Sequence, residues 1–316
     1  MIDAPDFETV AAVVQRLAVL LEAGIAPVSA WRHVAAAELS RTESRSASPV
    51  PMEVVARGGV GLELASQLLD ARELAPPSER LAWSALAAAW WVAVESGSPL
   101  APTLHRFAAS LRELAQSLRD VEVALAGPLA TSRIVLALPA VGLLFGALLG
   151  FDAPRILATT PAGWACLAIG GLLIIGGVRW NGALIRRARR SDPVPGLGLE
   201  LLAIAVSGGA SLDRSRALVD TALRESGLPQ LGDDADAVLA FARAAGVPAA
   251  ALLHAEAQEL RRRSRTRAQL RAAELGTRLL LPLGVCILPA FVALGVAPIV
   301  IAILSSTVGA FALGHL

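Results

Sequence analysis

The 316-residue chain has no tyrosine and no lysine, only two cysteines and two methionines, and 4% aromatic side chains. Without lysine there can be no GxxxxGK[ST] phosphate-cradling loop, and HExxH, CxxC and GxSxG are missing as well. No catalytic, cofactor-binding or metal-ligating residue is therefore expected. Cys166 and Cys286 both fall inside apolar runs and read as small core residues; a disulfide would require them to meet. Charge is sparse, with 17% charged residues and a net of +1, so no global field favours nucleic acid. The first ten residues carry Asp3, Asp6 and Glu8 and no basic cluster, unlike a signal peptide. No strand-period alternation of useful length occurs.

Hydrophobic residues are abundant. They make up 55% of the chain, and the mean hydropathy of +0.59 is high for an ordinary soluble domain. Ile134–Phe151 holds no charge, Asp152, Pro154 and Arg155 interrupt, and Ile156–Val178 is again uncharged up to Arg179. Runs of about 18 or more apolar residues can cross a hydrocarbon core as helices. A third run, Leu279–Leu313, nearly ends the sequence. The expectation is an all-α polytopic membrane protein with two repeated helical-bundle domains. Domain 1 covers 1–126, a hairpin 127–180 (spans about 132–151 and 160–178), domain 2 181–277, and a C-terminal span 278–316.

Helical spacing of Val10, Val13, Val14, Leu17, Leu20 and Leu21 predicts a first helix that stops at Gly24. Pro27 opens a second, to about Ala37, followed by a polar loop over Arg41–Pro51. Helices are predicted near Leu62–Glu73 and Ser78–Ser96, and Ser98-Pro99 is read as the cap of the next. There Leu100, Leu104, Phe107, Leu111, Leu114, Leu118, Val121 and Leu125 form a sustained a/d seam, which predicts lengthwise packing. Gly127-Pro128 is read as an interruption that bends this helix. Beyond the hairpin, helices are predicted over Leu199–Val206, from the Ser211 cap to Glu225, over Ala237–Ala245 after a Gly227–Asp236 linker, and from Pro248 onward.

Residues near 100 resemble those 149 positions later: Gly97/Gly246, Pro99/Pro248, Leu104/Leu253, His105/His254, Leu111/Leu260 and Arg112/Arg261. Leu20–Ala26 resembles Ala205–Ala210 in the same way. His105 and His254 read as packing or surface residues, with metal or proton-relay work as the alternative. Arg186, Arg187, Arg189 and Arg190 beside a span fit the positive-inside rule and anionic headgroups, so membrane lipids are expected contacts. Both polar segments are then cytoplasmic, with the N-terminus, and the 152–160 turn is external. The last run is read as one span with His315 outside; the alternative is a hairpin turning at Gly295 or Pro298. No ionisable residue sits mid-span, which disfavours a transporter or channel, the second reading. A membrane-anchored adaptor is the third.

Four stretches carry a resemblance: RLAVLLEAGIAPVSAW (Arg16–Trp31), ESGSPLAPTLHRFA (Glu95–Ala108), SGGASLDRSRAL (Ser207–Leu218) and LLLPLGVCILPAF (Leu279–Phe291). Together, in this order, they resemble the type II secretion system F-domain family, closest in look to its Tad (Flp-type pilus) branch. The resemblance implies a non-enzymatic platform in the bacterial inner membrane, coupling a cytoplasmic secretion or assembly ATPase to pilin or pseudopilin subunits. It also implies association with a paralogous platform protein or a second copy, and no nucleic acid. Glu22 and Glu95, with Glu113 and Glu122, read as solvated helix faces, with contact to a basic ATPase face as the alternative that the resemblance implies.

Overall fold

Glycines punctuate the helices. Gly24 and Gly209, 185 positions apart, take φ of 83° and 84°, and Gly97 and Gly246, 149 apart, take 71° and 65°. A left-handed residue ends a helix cheaply only where there is no Cβ. The computed structural model describes residues 4–42, 61–148, 159–188, 194–298 and 300–301. Its helices are α1 (Ala4–Glu22), α2 (Pro27–Thr42), α3 (Leu62–Leu74), α4 (Arg80–Ser96), α5 (Leu100–Leu148), α6 (Pro161–Ala188), α7 (Leu197–Ser207), α8 (Leu212–Glu225), α9 (Asp233–Ala245) and α10 (Ala249–Arg278). A final segment alternates short α and π turns: α11 (Leu280–Pro282), π turn Leu283–Ile287, α12 (Leu288–Phe291), π turn Val292–Val296. The protein is all-helical, with no strand among the described residues. The expected Arg41–Pro51 loop and 152–160 turn fall mostly outside those residues.

Helix boundaries keep the two sequence spacings. α1 and α7 end at Glu22 and Ser207, and α2 and α8 begin at Pro27 and Leu212, both 185 apart. α4 and α9 end at Ser96 and Ala245, and α5 and α10 begin at Leu100 and Ala249, both 149 apart. The spacing shortens because α3 and its flanks have no counterpart between α8 and α9.

The chain divides into two units. The first comprises 1–120 with 192–266, and the second 121–191 with 267–316. The segments before and after the hairpin thus share one unit. Its core contains Phe7, Val14, Leu17, Trp31, Leu68, Trp83, Trp90, Leu104, Phe107, Leu111, Leu201, Leu202, Val219 and Leu253, all essentially buried. Trp31 and Trp90 meet with ring centroids 6.0 Å apart. Leu104, Phe107, Leu111 and Leu114 of the seam are buried, as their spacing predicts, and Leu118 is half-buried. α4 packs on α3, α7 and α8. Its end crosses α7 closely: a Cβ on Gly208 would lie 2.1 Å from the Ser96 carbonyl oxygen. Ser98 is not simply a cap. Its buried hydroxyl donates to the Ile204 carbonyl at 2.6 Å, tying the α4–α5 turn to α7.

Two further local expectations change. α9 starts at Asp233, not Ala237, because Asp233, Asp234 and Asp236 in its first turn suit the positive end of the helix. α5 runs unbroken through Gly127-Pro128 to Leu148. A single proline removes one backbone bond, and the turns on either side hold the helix together.

In the second unit, glycines set the packing. A Cβ on Gly142 of α5 would lie 2.7 Å from the Phe291 ring, one on Gly170 of α6 2.4 Å from Leu294, and one on Gly177 3.1 Å from Cys286. Small residues at crossings let helix backbones approach, which drives association where no water is expelled. Ala272, Leu275 and Leu279 form a small buried cluster with Val121, Leu184 and Ile185. Cys166 and Cys286 are free thiols. With Gly177 beside Cys286, Cys166 lies eleven residues away along α6, roughly 16 Å.

Each π turn of the final segment directly precedes a Leu-Pro or Ala-Pro step, at Pro289 and Pro298. Proline has no N–H for the carbonyl four residues back, and a wider turn redistributes the freed groups inside the helix. Leu288 accordingly donates to Leu283, and Ala297 to Val292. Gly295 and Pro298, the possible hairpin turns, both lie within helix. His315 and the residues from 302 on lie outside the described residues.

Candidate functional site

Two places in the protein combine side chains that cost free energy to arrange. The first is an ionic ladder between α5 and α10 in the first unit. The ladder residues share one face of each helix, because 106, 113 and 120 are spaced by seven and 254, 261 and 265 by seven and four. Arg106 donates to His254 at 3.3 Å, Arg261 donates to Glu113 at 2.7 Å, and Arg265 pairs with Asp120. Glu200 of α7 joins two of these rungs. Its carboxylate lies 3.0 Å from His254 Nδ1 and 3.5 Å from Arg261 Nη1. The Glu200 and Arg261 side chains are each only 4% exposed.

Burial of Arg261 is tolerable because two carboxylates face it. Arg106 can only donate, so His254 Nε2 accepts and its Nδ1–H donates to Glu200. The residues at the matching spacings earlier in the chain are arranged differently. Gln15 stands 185 positions before Glu200, as α1 stands to α7. Arg112 donates to Gln15 Oε1 at 3.2 Å, the Gln15 amide faces His105 Nδ1 at 2.9 Å, and His105 Nε2 faces Glu22 at 2.9 Å. All three bonds are satisfied when His105 carries its proton on Nε2, the opposite tautomer to His254. A half-buried neutral amide thus stands at one place where a buried carboxylate stands at the other.

Glu22, at the end of α1, is therefore exposed but already accepts from His105. Glu95 is exposed in the last turn of α4. Glu113 is engaged by Arg261, and Glu122 is exposed on α5. These four are not gathered into one cluster by the contacts above. The ladder itself escaped the sequence reading. The heptad step of Arg106, Glu113 and Asp120 was a signal that could have found it. The partnership with Glu200 left no local trace.

The second place is the apolar surface of the second unit. α6 exposes Leu167, Ile169, Leu172, Ile175 and Val178 between Trp164, 63% exposed, and Trp180, 43% exposed. The two tryptophans are sixteen residues apart, about 24 Å along a helix. Tryptophans at both ends of an apolar helix mark the interfaces of a bilayer. Among the described residues, two helices are long and apolar enough to cross one: Pro161–Arg187 and Ala249–Val296. Only 17% of the most apolar window of the first is buried within the chain, and 39% of the second. Core helices of soluble proteins are not left this bare, so the unit fits a membrane protein. The expected first span occupies the latter part of α5, where many side chains lie outside the described residues.

Arg186 and Arg187 sit exposed in the last turn of α6, the end of a helix that favours cations. Arg189 and Arg190 lie outside the described residues. No group of three or more histidine, cysteine or acidic side chains that could hold a metal occurs among the described residues.

Residues 171–297, from the middle of α6 into the final helical segment, match the family model for Type II secretion system (T2SS), protein F. No curated protein and no solved structure matches the chain.

Proposed function

We propose, from the match of residues 171–297 to the family model for Type II secretion system (T2SS), protein F, that this chain is a non-enzymatic platform in the bacterial inner membrane. In this reading the first unit is cytoplasmic, as is the N-terminus, and three helices span the bilayer. The spans are the latter part of α5, α6 and the final helical segment. The two sets of helices related by 185 and 149 positions are repeated bundles that share a core. The platform couples a cytoplasmic secretion or assembly ATPase to pilin or pseudopilin subunits, in a Tad-type pilus or a secretion machine, and associates with a paralogous platform protein or a second copy.

The family match carries this proposal, and the continuity of α5 and α10 supports its mechanics. Each is one uninterrupted helix with residues in both units. The ladder joins them within the first unit, so a displacement of one is passed to the other. Glu22 and Glu95 are the exposed carboxylates offered to a basic ATPase face. A photo-reactive residue in place of Glu22 or Glu95 in living cells should yield an adduct with the ATPase. No adduct at either position, together with normal pili and secretion in cells lacking the protein, would overturn the proposal. A transporter remains the second reading only by hydropathy, and no charged side chain sits within the Trp164–Trp180 band except Arg179 beside Trp180.

A further inference from the structure

The second unit holds a register between α6 and the helix opposite it. Gly177 meets Ile287, Gly170 meets Leu294, and Ile185 packs in the cluster of Leu279. As one number falls the other rises by the same amount, so the helices run antiparallel in step. That register brings Arg278, the last residue of α10, to the level of Arg186 and Arg187 in the last turn of α6. All three are exposed. Glu274, 3.1 Å from Arg278, is the acidic partner on that turn. Among the described residues of α6 and α10 at this level, three guanidiniums stand against one carboxylate, a net charge of +2 on these two helices. It lies six to seven residues past Trp180, roughly 10 Å, where headgroups begin. On the bilayer side, exposed apolar side chains continue along both helices: Ile175 and Val178 on α6, Leu281 and Val285 opposite.

We propose that this arginine cluster is a binding site for an anionic phospholipid, and that a lipid with two phosphates is preferred. Guanidinium forks match phosphate oxygens bidentately, and a net of +2 suits a dianionic headgroup. The apolar side chains below supply a surface for the acyl chains. The inference rests on the membrane reading of the second unit and not on any role in secretion, so failure to support pili or secretion would leave it standing.

The test is native mass spectrometry of the full chain in detergent, titrated with a bis-phosphate lipid, a mono-anionic phosphatidylglycerol and a zwitterionic phosphatidylcholine. Retention should fall in that order. Each arginine near the surface contributes about a fivefold factor, so Arg186→Gln, Arg187→Gln and Arg278→Gln together should weaken bis-phosphate lipid binding roughly 100-fold. The charge-matched control, Arg262→Gln, Arg263→Gln and Arg267→Gln, should stay within a few-fold of the parent. Arg→Lys replacements at the three sites should restore most of the binding and show that the fold persists. Equal loss in the control would reduce the effect to net charge and overturn the site. Competition by millimolar inorganic phosphate would show that the acyl chains contribute nothing and would overturn the lipid assignment.

Discussion

Replacing Arg261 by alanine tests the ladder most directly. Arg261 is 4% exposed and lies between Glu113 at 2.7 Å and Glu200 at 3.5 Å. At an effective dielectric near 20, unit charges about 4 Å apart attract by ~4 kcal/mol, offset by the cost of removing both from water. Deleting the arginine leaves the Glu200 carboxylate buried with only His254 beside it, and breaking such a pair typically costs about 3–5 kcal/mol. For a folded unit of 150–250 residues this is a fall in Tm of roughly 6–20 °C. Arg112, its counterpart 149 positions earlier, is exposed and donates to the neutral Gln15. Arg112→Ala should therefore leave Tm nearly unmoved. Thermal unfolding of the full chain in detergent, followed by circular dichroism, compares the two. Glu200→Leu combined with Arg261→Met should recover much of the loss, since apolar replacement of a buried pair is often neutral. Equal small shifts for Arg261→Ala and Arg112→Ala, or no recovery in the double variant, would refute the assignment of a buried, mutually dependent pair.

Two further outcomes follow from packing. Leu111 is fully buried in the α5 seam, so Leu111→Ala should cost about 2–5 kcal/mol, while the exposed Gln116→Ala should not register in the same melt. Gly208→Ala would bring a Cβ to 2.1 Å from the Ser96 carbonyl oxygen and should cost about 1–3 kcal/mol through overpacking. A neutral result would mean that α4 and α7 do not cross as closely as described.

The amino-acid sequence determined the helices and their ends by local means. Apolar spacing, the Gly24, Gly97, Gly209 and Gly246 stops, and the Ser211 cap, whose hydroxyl accepts from the Arg214 N–H, act within a turn or two of chain. The sequence also determined the apolar runs, because a span is a property of length and composition alone. The a/d seam of α5 was legible for the same reason: its period is written along one helix. What only the tertiary structure decided involves residues far apart in the chain. Glu200 reads as one more acid on an apolar helix, yet α7 packs so that it faces His254 and Arg261. Gln15 occupies the corresponding place in the first half with an amide, and no local pattern distinguishes the two settings. Ser98 reads as a cap, and its hydroxyl also ties the α4–α5 turn to α7. Gly127-Pro128 reads as an interruption and is continuous helix, because the turns that flank it hold the helix across one missing backbone bond. Whether a charge is buried, and which opposite charge meets it, depends on how helices cross, and crossings are set by side chains contributed from several helices at once.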